Sequence, residues 1–292
     1  MSDYLVRSIA REAGVRAFAC VTTALAQEAA ARHETQPTAT AVLAEGLTGA
    51  ALMGALLKVG QRVAVKFEGD GPLHKLVLEA DSYGRVRGYV GEPAVDLPQR
   101  VGGHDIAGAI GSQGRLFVIK DLRLKELAEG VIALETGAID EALTQYLDQS
   151  EQIPSAVQTD ALLDEDGVVL AAGGVLLQAL PPYDAEIVRE LAERLAEMPP
   201  AAQLLQAGET PEDVLAQLFG KVPYEVLEER PLRFQCSCSW ERTRQALLIL
   251  GREEIEHLLA TEGQAEIDCH FCHAHYIFTT ADLELILLEL AE

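Results

Sequence analysis

Four of the five cysteines in this 292-residue chain gather near its C-terminus, as Cys236-Ser237-Cys238 and, after a thirty-residue spacer, Cys269-His270-Phe271-Cys272. Two close pairs brought together present four sulfurs, the number and type of donor that a tetrahedral zinc ion takes. Thiolates at all four corners select zinc over magnesium or calcium, with iron as the weaker alternative. The C-x-x-C pair is the ordinary half of such a site. The C-x-C pair is the unusual half, because structural zinc sites usually separate paired ligands by about two to four residues. Inert buried thiols are the competing explanation, and pairing this dense argues against it. His270, His273 and His275 could each replace a sulfur, and we rank them as flanking residues. The pattern predicts one Zn²⁺ per chain, held by Cys236, Cys238, Cys269 and Cys272.

Four sulfurs close the coordination sphere and leave no position for water or substrate, which argues against a catalytic metal. Structure or switching remains. A segment of about sixty residues has a small core. Metal affinity, on the order of 10 kcal/mol in peptide models, then becomes much of its folding free energy. Loss of the metal should unfold such a segment. Zinc holds sulfurs as thiolates, the form that oxidants attack. Neighbours two or three positions apart can also pair as disulfides after some backbone adjustment. The spacing permits a redox switch without establishing one.

The rest of the chain is long enough for a full hydrophobic core, and 49% of all residues are apolar. The longest uncharged run, from Gly167 to Tyr183, is broken by Gly173-Gly174 and stopped by Pro181-Pro182. No membrane-spanning helix is expected there. Met1-Ser2-Asp3-Tyr4 lacks the basic and apolar regions of a signal peptide, which points to the cytoplasm. A net charge of −23 repels phosphate backbones and disfavours nucleic acid as a partner.

Periodicity divides the chain in three and predicts an α+β fold. Residues 1–180 read as an N-terminal α+β domain. Val15, Ala17, Ala19 and Val21 alternate as in a strand, and Leu25 and Ala29 follow on a helix. Thr38–Lys58 reads as a long helix, apolar nearly all round and suited to burial against a sheet. Strand-like runs come next, at Arg62–Glu68, Lys75–Ala80, Val86–Val90, Leu116–Lys120 and Val131–Leu134, separated by glycine-containing turns. Such runs predict a mostly antiparallel sheet packed with helices. Ile139–Leu147 reads as a helix, and two more strands flank Asp164-Glu165-Asp166-Gly167.

Residues 181–231 read as a helical linker. Asp184 caps a helix carrying Ile187, Leu191, Leu195 and Met198, and Thr210-Pro211-Glu212-Asp213 opens another with Val214, Leu215, Leu218 and Phe219. Helices this short need a surface to lie on. Residues 232–292 read as a small metal-binding domain. It should hold helices Glu241–Leu250 and Glu253–Ala260, a hairpin at Ala265–Asp268 and Tyr276–Phe278, and a closing helix capped by Thr279 or Thr280. Cys20, among small apolar residues on a strand, reads as an inert buried thiol. Gly69–Gly71 and Gly173-Gly174 lack phosphate-loop or dinucleotide spacing and read as turns or tight packing. No nucleophile, base and orienting acid form a motif, so no enzyme is predicted.

The tail Phe234-Gln235-Cys236-Ser237-Cys238-Ser239-Trp240-Glu241-Arg242, followed by Cys269-His270-Phe271-Cys272 and Tyr276-Ile277-Phe278, resembles the redox-switched heat-shock chaperones of the 33 kDa chaperonin family. Gly69-Asp70-Gly71-Pro72-Leu73, Val86-Arg87-Gly88-Tyr89, Ser150–Pro154 and Ala172–Gln178 resemble family segments too. The likeness covers nearly the whole chain. It implies an ATP-independent holdase that is zinc-bound and inactive when reduced. Peroxide or hypochlorite, usually with heat, would join Cys236 to Cys238 and Cys269 to Cys272, release the zinc, and unfold the C-terminal domain and then the linker. The exposed surface would hold unfolding client proteins, and the active form would be a homodimer. Trp240 stands where the family usually has a basic residue, and His273 where zinc knuckles often have glycine. Both departures bear on tuning of the switch. Two readings outside the resemblance remain. One is a constitutive zinc-ribbon adaptor or nucleic-acid binder, which the charge disfavours. The other is an enzyme whose zinc only staples the tail.

Overall fold

A helix that is apolar on every side has to be buried on every side, and the first unit of the chain is built around one. In the computed structural model, which describes residues 2–100 and 103–290, Pro37–Ala55 is helical and only Pro37 and Glu45 escape full burial. The chain forms two units, Met1–Gln235 and Cys236–Glu292. The first opens with strands β1 (Tyr4–Ala10) and β2 (Val15–Val21), helices α1 (Thr23–His33) and α2 (Pro37–Ala55), and strands β3 (Arg62–Gly69), β4 (Lys75–Asp81) and β5 (Arg85–Val90). It continues through α3 (Ile106–Ile110), β6 (Gly114–Asp121), β7 (Ala128–Ala133), α4 (Ile139–Gln149), β8 (Ser155–Leu163) and β9 (Val169–Ala179). Helices α5 (Ala185–Glu197), α6 (Ala201–Gln206) and α7 (Pro211–Phe219) and strands β10 (Glu225–Pro231) and β11 (Arg233–Phe234) complete it.

One sheet has the order β10-β1-β2-β9-β8 and is antiparallel throughout. The other runs β11-β5-β4-β3-β6-β7, with β11 alone parallel to its neighbour. Helix α2 lies between them, against β2, β8 and β9 on one side and β3, β4 and β5 on the other. The α+β class and the antiparallel pairing agree with the sequence. The single expected sheet is two, because a helix apolar all round needs two apolar faces to cover it.

Strand β9 is buried on both faces, and its two central glycines explain how. A Cβ on Gly173 would stand 2.3 Å from Leu205 of α6, and one on Gly174 would stand 2.8 Å from Thr48 of α2. Neither forms a turn; both admit a helix to close approach. On the side away from α2, helices α5 to α7 cover the first sheet. Leu191, Leu195, Leu215, Leu218 and Phe219 form one buried cluster with Val6, Ala17, Val175 and Leu177 of the strands. Burying each large side chain contributes roughly 1.5–3 kcal/mol. Asp184 caps α5, accepting from the Glu186 and Ile187 amides, and Thr210 and Asp213 form a capping box on α7. Arg194 ties the two helices by donating to the Leu218 and Phe219 carbonyls, both at 2.9 Å. Tyr4 of β1 donates to Glu212 of α7 at 2.9 Å.

Residues 225–231, expected within a helical linker, instead form β10 on the edge of the first sheet. An exposed, charged edge strand shows no apolar alternation, and its partner β1 lies at the far end of the unit.

The second unit holds α8 (Trp240–Leu250), α9 (Arg252–Thr261), the antiparallel hairpin of β12 (Ala265–Asp268) and β13 (His275–Phe278), and α10 (Thr280–Glu289). Its core is small, formed by Leu247, Ile255, Ala265, Phe278, Leu283 and Ile286. Thr279 and Asp282 close a capping box at the start of α10. Among the described residues no helix is long and apolar enough to cross a membrane.

Candidate metal centre

Both cysteine pairs sit on backbone held by short-range hydrogen bonds. Ser239 caps α8, its hydroxyl accepting from the Arg242 amide at 3.3 Å. Arg242 donates back to the Ser237 carbonyl at 2.9 Å and hydroxyl at 2.6 Å, which fixes the residue between Cys236 and Cys238. Cys269 and Cys272 lie in the turn between β12 and β13. The Cys272 and His273 amides donate to the Cys269 carbonyl at 3.3 and 2.8 Å, and the Cys269 amide donates to the Ala274 carbonyl at 3.0 Å. His273 completes the turn at φ 55°, the left-handed region that glycine enters freely. The departure from glycine at this position leaves the turn in its glycine-type form.

The four Sγ atoms lie within 4.8 Å of one another. Cys236 and Cys269 are 3.7 Å apart, and Cys238 and Cys272 are 3.3 Å apart. Zinc–sulfur bonds of about 2.3 Å arranged tetrahedrally give sulfur–sulfur edges of about 3.8 Å. The donor set can therefore hold a metal ion. None of the cysteines is disulfide-bonded. Burial raises the thiol pKa of both Cys269 and Cys272, and Cys236 raises each further. A central cation reverses that balance by favouring the thiolate.

Among the described residues no histidine joins this donor cluster. His275 pairs with Asp268 at 2.7 Å, a bond that raises its pKa. Trp240, 37% exposed, stacks on the core residue Phe278 with ring centroids 4.9 Å apart. Tyr276, read from the sequence as part of the hairpin and the family-like tail, has a further role that its pattern did not show. Its hydroxyl donates to Cys238 Sγ at 3.1 Å, an outer support for one prospective ligand. The available signal is its place on β13, two residues from buried Phe278 and so on the same face. Cys20 belongs to the first unit, where burial pushes its thiol up to about 12.

Comparison with known proteins points to one family. The sequence model of the family described as Hsp33 protein matches residues 3–279. The 33 kDa chaperonin of Citrifermentans bemidjiense is 50% identical over 292 residues, spanning 100% of this chain and 99% of that protein. The 33 kDa chaperonin of Bacillus subtilis is 42% identical over 284 residues, 97% of each. The crystal structure of the 33 kDa chaperonin (heat shock protein 33 homolog) from Thermotoga maritima superposes with a TM-score of 0.90 at 34% identity, over 100% of this chain and 99% of that one.

Proposed function

This chain belongs to the Hsp33 family of chaperones, and on that premise we propose that it is a redox-regulated holdase whose C-terminal unit senses oxidant. The observation that carries the proposal is the gathering of four sulfurs within 4.8 Å inside a unit with so small a core. In the reduced state Cys236, Cys238, Cys269 and Cys272 hold one zinc ion. Bound zinc supplies on the order of 10 kcal/mol of folding free energy, comparable to the stability of a whole small domain.

Oxidation consumes those ligands. Two molecules of peroxide take four electrons from the four thiolates and leave as hydroxide, while Cys236 joins Cys238 and Cys269 joins Cys272. No sulfur donor then remains for the ion, and the unit loses most of what holds it folded. Support for a response in the linker comes from the buried cluster beneath α5 to α7. Release of those helices uncovers Val6, Ala17, Val175 and Leu177, an apolar face fit to hold unfolding clients without ATP. A net charge of −23 keeps a chain with such a face in solution. The family resemblance adds a homodimer as the active form and the cytoplasm as the working compartment. No catalytic role is proposed.

The test treats reduced, zinc-loaded protein with peroxide under mild heat. A chromogenic chelator reads the metal and light scattering follows an aggregating client. The expected result is release of the zinc together with new suppression of aggregation. Peptide mapping should then find the Cys236–Cys238 and Cys269–Cys272 links. Zinc that stays bound, with no gain in suppression, would leave the metal a fixed structural part and end the proposal.

A further inference from the structure

With 46 acidic residues to 23 lysines and arginines, a cluster of cations without carboxylate partners stands out. Three of them, Arg7, Arg16 and Lys58, face one cavity in the first unit. It measures about 670 Å³ and lies where the C-terminal end of α2 meets β1, β2 and β10. Arg7, Arg16, Lys58 and Arg230 line it, with Leu56, Leu57 and Tyr83 among its walls.

Strand register sets the charge of this cavity. Arg7 stands opposite Glu228 and Leu5 opposite Arg230, so these four side chains share one face of the sheet. Glu228 and Glu229 also line the cavity, but Glu229 stands opposite Val6, a register that places its side chain on the other face of the sheet, with Tyr4. Glu228 is already engaged, accepting from Arg230 Nε at 2.9 Å and Nη2 at 2.8 Å. Arg7, Arg16 and Lys58 are left in excess. Arg7 Nε is buried with no hydrogen-bond partner, and neither Arg7 nor Lys58 has a carboxylate partner among the described residues. The guanidinium carbons of Arg7 and Arg16 lie 6.0 and 5.7 Å from the centroid of the same Phe18 ring. Gln178 fixes Arg16, accepting from its Nε at 3.0 Å. Burial, and then the nearby charge of Arg7, lower the Arg16 pKa. Like charges held together away from water are unfavourable, and an anion between them relieves the arrangement.

We propose that this cavity binds a phosphate group, as free phosphate or as the head of a small phosphomonoester, between Arg7 and Arg16 with Lys58 at the mouth. The planar fork of a guanidinium matches two oxygens of a phosphate at once. Tyr83, 49% exposed, and the Leu56–Leu57 wall suit an apolar or aromatic ester group. The volume falls within the usual ligand-pocket range of about 300–1,000 Å³. The competing use of both arginines, as counter-charges to the C-terminal dipole of α2, requires no ligand.

Titration calorimetry on the reduced, zinc-loaded full chain separates these uses, with inorganic phosphate and phenyl phosphate as probes at ionic strength held constant with chloride. Saturable heat is expected. Tighter binding of phenyl phosphate points to an ester, and equal binding to free phosphate. Arg7→Gln or Arg16→Gln should weaken binding at least tenfold, whereas Arg115→Gln, at an exposed position of β6 in the other sheet, should leave it unchanged. Lys58→Gln changes an exposed loop residue, so its fold is safe, and it should weaken binding several-fold. No saturable heat at millimolar phosphate, or undiminished affinity in Lys58→Gln and Arg7→Gln, would overturn the proposal.

Discussion

His273 adopts a conformation that a glycine would enter without strain. At φ 55° the Cβ crowds the following carbonyl, and a branched Cβ crowds it more. His273→Val, whose branched Cβ makes the left-handed region still less accessible than histidine's does, should lower the thermal midpoint of reduced, zinc-loaded protein. His273→Gly should hold or raise that midpoint; a valine variant that melts with the wild type would show that the turn does not take this form. Glu45 makes a second case at this scale. Burial first, and then the carboxylates of Asp140 and Asp160, push its pKa well above the ordinary 4.5. The folded state thus prefers the protonated form. Its contribution to stability is complete below the ordinary value and is lost as pH rises toward the folded one. Glu45→Gln keeps the neutral form throughout and should raise the melting temperature at about pH 7, with the gain fading toward about pH 4. An equal gain at both pH values would contradict this.

Helices α5, α6 and α7 are too short to persist alone, and the first sheet supplies the surface that keeps them. Their hold is concentrated in a few side chains, of which Leu218 is fully buried. Leu218→Asp puts an unpaired carboxylate into that contact and should weaken docking by at least about 3 kcal/mol. Reduced protein carrying it should bind more of a hydrophobic dye and protect a client without oxidant. Dye binding and client protection identical to wild type would mean that α7 does not cover the functional face.

Each unit has its own core, and the two differ in what sustains them. The first rests on two sheets and an almost wholly buried helix; the second has a handful of buried apolar side chains and the sulfur cluster. If the second unit holds zinc as proposed, chelating the metal from reduced protein should remove on the order of 10 kcal/mol from that unit alone. Hydrogen exchange should then rise throughout residues 236–290 while the strands of the first unit stay protected. A metal-free second unit that keeps its protection would show that its core suffices.

The four-sulfur cluster is legible in the sequence because its signals are local. Each cysteine pair spans a few residues, and the Ser239 cap and the β12–β13 turn position the sulfurs through bonds to near neighbours. The same holds for α2, with its unbroken apolar run, and for α5 and α7, whose caps Asp184 and Thr210 announce them. The division into two sheets, the strands β1 and β10, and the cationic cavity are decided only in three dimensions. Tyr4 pairs with Pro231, and that pairing is also what brings Arg230 to Arg7. Donor chemistry and capping act between residues that are neighbours in any conformation, whereas strand pairing and the field inside a cavity arise between residues that meet only once the chain has folded.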